Sequence, residues 1–495
     1  MNQRPLKLNA LLNGIKSTLS LLVPLITFPY VSRVLRVENL GKYNFSLTYI
    51  GYYALIAGLG ISTYCTREGV KNRENKKRIQ NFASEIYTLN MLSTFFSMIL
   101  FLLSIVFIGK IREYRIYILW LAPTVFFTTY GVNWIFTVYE DYLYTTVRSI
   151  VLQILTVLMV FAFIKSEQDL VKYCIIHSGI TLISSIADRY NANKYCKIRF
   201  CLKCDYIKHL KSVLILFASA VAVTIYTSSD ITILGIMRGD YEVGLYSISV
   251  KIYGIFKTLF SSLLVVSVPR MCGYIADHKN TEYNSSFSNI YTVLLTFIIP
   301  AMTGLFIIAE NIILVISGKE YINASSSLRI LSIALIICFG GFVYSSCVLI
   351  PNGKEKELLF AMSAGCVVNV ALNIVLIPLY GQDAAAFTTL IAEMVSLIVC
   401  RIYSKGLVTL KLRRKDVCSV IIGSVLMIIC CLIVKQYKLP SLKEMLVQII
   451  ISVFAYGTVM MLFHNTAAGE IISTIKGMAK KLNGIKKVIL GNQEG

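Results

Sequence analysis

Residues 286–309 read SFSNIYTVLLTFIIPAMTGLFIIA, a run of 24 residues without a charged side chain. About 20 apolar residues in a helix span the hydrocarbon core of a bilayer, so this run predicts a transmembrane helix. Thirteen further apolar runs occur along the chain. Together the predicted helices occupy residues 8–34, 43–63, 82–109, 116–138, 144–165, 171–190, 212–237, 244–268, 286–309, 326–350, 358–379, 383–404, 417–434 and 444–464.

The composition of the 495 residues agrees with this pattern. Hydrophobic residues make up 56% of the chain and charged residues 15%, with a mean hydropathy of +0.70. Soluble domains are about 45–50% apolar and about 25% charged. The composition therefore excludes a soluble globular enzyme, and the sequence predicts an all-α polytopic membrane protein with about 14 transmembrane helices.

The positive charge is concentrated in a few loops. The chain carries 48 Lys and Arg against 26 Asp and Glu, a net charge of +22. Six basic residues fall in 64–81, seven in 189–211 and six in 401–415. Cytoplasmic loops of membrane proteins carry an excess of Lys and Arg, so these loops and both termini are predicted to be cytoplasmic. No basic soluble domain is present to bind nucleic acid.

A short motif occurs twice. Gly41-x-Tyr43-x-x-Ser46 returns as Gly244-x-Tyr246-x-x-Ser249, 203 residues later, each time at the start of a predicted even-numbered helix. Parallel repeats of this kind are common in transporters, and the motif predicts two pseudo-symmetric lobes around a central cleft. The predicted parts are an N-terminal lobe at 1–211, a C-terminal lobe at 212–404, two further helices at 405–464 and a basic amphipathic cytoplasmic tail at 465–495.

The common catalytic motifs are absent from the sequence. It contains no P-loop, no H-E-x-x-H pair and no G-x-S-x-G elbow, and its four histidines are scattered. We therefore expect no enzyme and no cofactor. Cys196, Cys201 and Cys204, with His209 nearby, resemble a zinc-ligand pattern. The alternative is a set of reduced thiols in a basic cytoplasmic loop, and the spacing leaves the choice open.

The charged residues inside predicted helices include Lys16, Asp230, Lys251 and Lys257. Each costs about 2.5–3.5 kcal/mol at mid-bilayer, so such side chains face protein or a water-filled interior. One interpretation is a cationic cleft with a single acid, which suits an anionic substrate. The alternative is that the side chain of Lys16 or Lys257 extends along the helix so that its ammonium group reaches the membrane interface, and that Asp230 pairs with a lysine. Glu393 and Arg329 are weaker candidates, and either could belong to a structural ion pair.

Three segments resemble the Wzx-type polysaccharide flippases. They are Thr27–Leu35 with Leu40–Phe45, then Tyr64–Glu68 before the basic loop, and Ser229-Asp230 leading through Val243–Ser247 to Lys251. The family usually has a glycine where this chain has Arg36, and a small residue where it has Cys65. The length and the fourteen spans are similar along the whole chain.

The resemblance implies membership of the multidrug/oligosaccharidyl-lipid/polysaccharide exporter superfamily. It implies alternating access, with an undecaprenyl-diphosphate-linked oligosaccharide moving from the inner to the outer leaflet of the cytoplasmic membrane. The product would supply O-antigen, capsule or exopolysaccharide, beside a polysaccharide polymerase and a chain-length regulator.

Site residues follow from the interior charges together with this resemblance. We expect five cations to attract the diphosphate and acidic sugars: Lys16, Arg33, Arg67, Lys251 and Lys257. Asp230 would be a counter-ion or the coupling site for a proton or sodium.

Several rival functions remain. A multidrug cation antiporter of the same superfamily needs acids in its cleft, whereas interior lysines outnumber clear interior acids here. A peptidoglycan lipid precursor flippase shares the cargo chemistry. A polysaccharide polymerase would need a large outer loop, and a structural scaffold would not need charges within its helices.

Overall fold

The computed structural model describes residues 6–201, 207–265 and 267–469. Within these residues the chain is helical and has no β-strand. The helices are α1 Leu6–Gly58, α2 Ile61–Asn72, α3 Lys76–Phe107, α4 Arg115–Leu121, α5 Pro123–Tyr130, α6 Trp134–Val138, α7 Tyr142–Phe163, α8 Leu170–Ala192, α9 Ile207–Met237, α10 Asp240–Val265, α11 Val268–Ala276, α12 Asn280–Ile316, α13 Ala324–Tyr344, α14 Glu355–Tyr403, α15 Arg414–Gln436 and α16 Ser441–Leu462. Short 3-10 turns occupy Gly109–Tyr114, Glu167–Asp169 and Lys319–Tyr321.

Twelve helical stretches of the described chain are long and apolar enough to cross a membrane. Two of them contain a break, α1 at Arg36 (φ 64°, ψ 176°) and α14 at Gly381 (φ 58°, ψ −133°). At 1.5 Å per residue, α1 would be about 80 Å long, far more than the hydrocarbon core of about 30 Å. Each broken helix therefore supplies two crossings. The described residues then contain fourteen crossings, which confirms the prediction of an all-α polytopic membrane protein.

The chain packs as two compact units. The first comprises Met1–Ile248, Ile316–Asn323 and Asn369–Ala385, and the second comprises Ser249–Val315, Ala324–Val368 and Ala386–Gly495. These units group residues by packing. The predicted lobes at 1–211 and 212–404 stay a prediction, as does the helix pair at 405–464. Of the predicted tail at 465–495, residues 470–495 lie outside the described residues.

At one end of the first unit, the turns are joined by polar contacts. The guanidinium of Arg36 contacts Glu167 at 2.9 Å and Glu320 at 3.0 Å. The Tyr114 hydroxyl donates to Asp240 at 2.6 Å. These turns follow crossings that run in the same direction, as expected if successive helices alternate.

The basic loops lie at the other end of the first unit. Arg73 contacts Glu140 at 3.0 Å, and Lys208 contacts Glu85 at 3.0 Å. Tyr195 donates to Asp141 at 2.6 Å. Loops 64–81 and 189–211 thus share one end, as the charge count predicts.

The two copies of the repeated motif contact each other within the first unit. Gly41 lies against the backbone of Asp240, and Gly244 lies against the backbone of Val37. A Cβ added to either glycine would overlap the facing carbonyl oxygen. Val37 and Asp240 are themselves 203 residues apart, as are the two glycines. The contact is therefore reciprocal, as in an interface related by a twofold axis.

Candidate functional site

Asp230 lies in α9 and is buried, with 6% of its surface exposed. Its Oδ2 accepts a hydrogen bond from the Tyr246 hydroxyl at 2.8 Å, and its Oδ1 accepts one from the Asn373 amide at 2.5 Å. Asn369 accepts from Asn373 at 3.1 Å and from Ser229 at 3.2 Å. Helices α9, α10 and α14 thus bring oxygen-bearing side chains together around one carboxylate. Such a group can hold a proton or a hard cation.

The two asparagines were missed by sequence reasoning. Asn369 and Asn373 stand four residues apart in the apolar run 358–379, so they lie on the same helix face. Both are fully buried, with 1% and 0% exposed. A pair of amides at helical spacing in a membrane segment is a detectable signal, because buried polar groups need partners.

Lys257 forms an ion pair inside the second unit. Its Nζ lies 3.0 Å from Glu393 Oε1 and 5.6 Å from the centre of the Tyr253 ring. The Tyr253 hydroxyl also lies 3.4 Å from the same carboxylate oxygen. Glu393 is therefore the acid that accompanies Lys257. Arg329, the other weak candidate, contacts the partly exposed carboxylate of Glu310 at 3.5 Å.

Lys251 lies on the same helix, α10, six residues before Lys257. Lys251 is exposed, whereas the neighbouring residues Ile252 and Tyr253 are buried. Lys251 belongs to the second unit and Asp230 belongs to the first. That Lys251 and Asp230 both line a cleft stays a prediction.

Lys16 lies in a polar cluster that the sequence did not reveal. It is half-buried in α1, within electrostatic range of Arg148 and Asp188. Arg148 Nη1 contacts Asp188 Oδ1 directly, and the Tyr144 hydroxyl donates to the same oxygen at 3.0 Å. Arg148 and Asp188 both lie near helix ends, where a charged side chain is usually assigned to the membrane–water interface. The partner helices α7 and α8 turn these side chains inward.

The remaining predicted cations lie elsewhere in the first unit. Arg33 is exposed on α1, three residues before the break. Arg67 is exposed on α2, where its Nε donates to Glu68 at 3.1 Å and its guanidinium lies 5.8 Å from the Tyr64 ring centre. Arg67 is thus at the end that carries the basic loops.

An apolar cavity of about 610 Å³ lies within the second unit. Helices α12, α15 and α16 line it, with Phe256 from α10. Its lining includes Pro300 and Gly304 of α12 and Ser452 and Gly457 of α16. The volume and lining suit a hydrocarbon chain.

The cysteine pattern does not form a metal site among the described residues, where no group of three ligand side chains is present. Burial raises the pKa of the Cys196 thiol to about 11, which disfavours the thiolate that metals bind. Cys201 is disulfide-bonded, so the expectation of reduced thiols is wrong there. Cys204 lies outside the described residues.

Comparison with known sequences gives consistent matches. The family model described as polysaccharide biosynthesis protein matches residues 6–275. A Shigella dysenteriae protein named as an O-antigen transporter is 24% identical over 397 residues, covering 79% of this chain and 97% of that protein. An Escherichia coli (strain K12) protein of the same name is 21% identical over 396 residues, covering 79% and 95%. The resemblance to Wzx-type flippases is confirmed.

A solved structure shares the fold. The lipid II flippase MurJ, in its inward closed conformation, aligns with a TM-score of 0.70 at 18% identity. The alignment covers 92% of this chain and 98% of that protein. At this identity the likeness shows the fold alone, which is that of the two-lobe transporters.

Proposed function

Since this chain belongs to the polysaccharide biosynthesis protein family, we propose that it is a flippase for lipid-linked oligosaccharides. In this proposal the cargo is an undecaprenyl-diphosphate-linked repeat unit, which moves from the inner to the outer leaflet of the cytoplasmic membrane by alternating access. The observation that carries the proposal is the family match together with relatives named as O-antigen transporters. Those names also support a transporter rather than an enzyme.

The cationic side chains suit the diphosphate. Lys16, Lys251 and Lys257 lie within membrane helices. Arg33 lies near the end of the first crossing, and Arg67 lies just after the second crossing, on α2. A cation held in the membrane interior is costly, and an anionic ligand offsets that cost. We assign these five residues to the head group and the acidic sugars of the cargo.

The apolar cavity suits the lipid. Its walls come from α12, α15 and α16, and Gly457 leaves room on the α16 side, with no atom within 4 Å of an added Cβ. A polyprenyl tail is purely hydrocarbon and is stabilised by apolar contact and by the surrounding bilayer. We assign part of the tail to this cavity.

The cavity assignment predicts the effect of filling it. Gly457→Trp should reduce flipping of the natural lipid-linked repeat unit about tenfold, because the indole occupies the space of several isoprene carbons. Leu462→Trp is the control, since Leu462 lies on the same helix and is 70% exposed outside the cavity. Flipping is measured as surface polymer per unit of membrane-localised protein. Equal polymer from both variants would remove the cavity from the transport path.

Asp230 is the proposed coupling residue. Its neutral hydrogen-bond donors, Tyr246 and Asn373, stabilise the carboxylate, and the nearby amide oxygens offer further ligands to a proton or sodium ion. Binding and release of such a cation would change the charge in the site between the inward and outward states.

The proposed neighbours of the protein in the pathway are a polysaccharide polymerase and a chain-length regulator.

The test uses a strain that lacks this gene and keeps its glycosyltransferases. We expect loss of surface polysaccharide, with single lipid-linked repeat units trapped in the inner leaflet. The wild-type gene should restore polymer, and Asp230→Asn should restore at most about a tenth of it. Asp277→Asn is the matched control, because Asp277 is exposed and pairs with Lys279 on a loop. Normal polymer in the deletion strain, with altered sensitivity to cationic dyes, would instead indicate a multidrug exporter.

A further inference from the structure

A buried ion pair in the first unit lies near Lys16, one of the five cations assigned to the cargo. Arg148 is on α7 and Asp188 is on α8, and their side chains are 11% and 4% exposed. The Tyr144 hydroxyl donates to Asp188 at 3.0 Å, and the Arg148 guanidinium lies 5.7 Å from the Tyr144 ring centre. These contacts hold the guanidinium in one place.

The charges of this cluster do not balance. Lys16 lies close enough to Arg148 and Asp188 to interact with both, so two cations share one carboxylate. Arg148 Nε is buried and has no hydrogen-bond partner among the described residues. A structural ion pair buried in a membrane would normally be neutral and fully bonded, because unpaired buried charge is costly. The excess positive charge and the unbonded donor both favour an anionic ligand.

The cluster lies near the end that carries the basic loops. Arg148 is six residues into α7, and Asp188 is four residues before the end of α8. At 1.5 Å per residue, both lie about 6–9 Å from their helix ends. On the α1 side, Thr146 donates to the Leu12 carbonyl at 3.1 Å, which places α1 and α7 side by side at this depth.

We propose that Lys16 and Arg148 form an anion site that receives a phosphate of the cargo's diphosphate, with Asp188 as the positioning residue. This proposal rests on the proposed function, and it places the site at the predicted cytoplasmic mouth of the first unit. Without cargo, Asp188 holds the guanidinium. When a phosphate binds, its oxygens accept hydrogen bonds from Arg148 Nε and from the Lys16 ammonium. The two positive charges of Arg148 and Lys16 outweigh the single negative charge of Asp188.

The test measures binding of inorganic pyrophosphate to the purified full-length protein in detergent by calorimetry at constant ionic strength, with sulfate as the competing anion. Lys16→Met should weaken pyrophosphate binding about tenfold. Asp188→Asn should strengthen it several-fold, because the competing carboxylate is removed while both cations stay. An increase in affinity is a result that a merely structural role would not produce.

A neutral pair of substitutions separates binding from folding. Arg148→Met with Asp188→Leu removes one positive and one negative charge together, so the net charge of the cluster does not change. We expect the thermal unfolding temperature of this double variant to stay near that of the wild type, with pyrophosphate binding at least tenfold weaker. Arg329→Met with Glu310→Leu is the matched control in the second unit and should bind like the wild type.

Two results would overturn the site. One is wild-type protein that does not bind pyrophosphate more tightly than sulfate. The other is a double variant Arg148→Met/Asp188→Leu that binds pyrophosphate like the wild type. The deletion strain reports separately on the proposed function: trapped repeat units with unaltered pyrophosphate binding in the variants would reject the site alone. Normal surface polymer with the expected binding changes would reject the proposed function and keep the anion site.

Discussion

At the scale of single residues, Arg36 stands in a backbone conformation that favours glycine. Its φ of 64° and ψ of 176° fall in a region that is essentially restricted to glycine, at a cost of about 1–3 kcal/mol. The residue 203 positions later is Gly239, with φ of 91°. The Wzx-type flippases that this chain resembles usually have glycine at the position of Arg36. This chain has an arginine there, whose side chain reaches Glu167 and Glu320.

The balance at Arg36 predicts a stabilising substitution. The side chains of its ion pairs are 48–58% exposed, and exposed pairs contribute only about 0–1 kcal/mol. Arg36→Gly should therefore raise the free energy of unfolding by about 1 kcal/mol. Arg36→Gln is the control, since it loses the ion pairs and keeps the strained backbone, and it should be slightly destabilised. Thermal unfolding of both proteins in one detergent measures the difference. A glycine variant less stable than the glutamine variant would contradict the strain argument.

At the scale of secondary-structure elements, the second crossing, after the break in α1, packs closely against the start of α10. The two glycines of the repeat allow it, because each faces the backbone of the other copy. The sequence predicts the repeat from its spacing. It does not predict that the copies touch, because a 203-residue separation says nothing about distance in space.

This packing predicts opposite effects of the same substitution at two glycines. Gly41→Ala should lower the free energy of unfolding by about 1–3 kcal/mol, because the added methyl overlaps the Asp240 carbonyl. Gly254→Ala should raise it by about 0.5–1 kcal/mol, since Gly254 lies within α10 with open space around it. Thermal unfolding of the two variants, together with Gly244→Ala, measures both effects. Equal stability of Gly41→Ala and Gly254→Ala would show that the helices are further apart than described.

At the scale of the whole molecule, the alternation of fourteen crossings assigns each loop to one of two sides. The described contacts group the loops of the first unit accordingly, and the basic loops 64–81 and 189–211 share a side. The charge count predicts that this side is cytoplasmic. The contacts by themselves do not distinguish inside from outside.

Thiol labelling checks the orientation. Cys272 is an exposed free thiol on a segment predicted to be cytoplasmic, and Cys418 is an exposed free thiol at the start of the predicted helix 417–434, next to the basic loop 401–415. A membrane-impermeant maleimide should label them in inside-out vesicles and leave them unlabelled in intact spheroplasts. Glu113→Cys, in a Cys272→Ser/Cys418→Ser protein, is the converse control, because Glu113 is exposed at the opposite end. Labelling of Cys272 from outside would reverse the predicted orientation.

The sequence by itself determined the class of protein, the number of crossings, the sharing of one side by two basic loops, and the family. These properties depend on the order of apolar and charged residues along the chain, and each crossing must be apolar whatever its neighbours are. Asp230 was also found this way, because a charge inside an apolar run is visible in one dimension.

Only the tertiary structure decided which polar groups meet. Asn369 and Asn373 come from a helix more than 130 residues beyond Asp230, and Arg148 meets Asp188 across two helices. Glu393 similarly accompanies Lys257 from far along the chain. In a membrane, a polar side chain is stabilised by whichever partner the packing brings to it, and that choice depends on helix rotation and neighbour order. Hydropathy along the chain contains neither quantity.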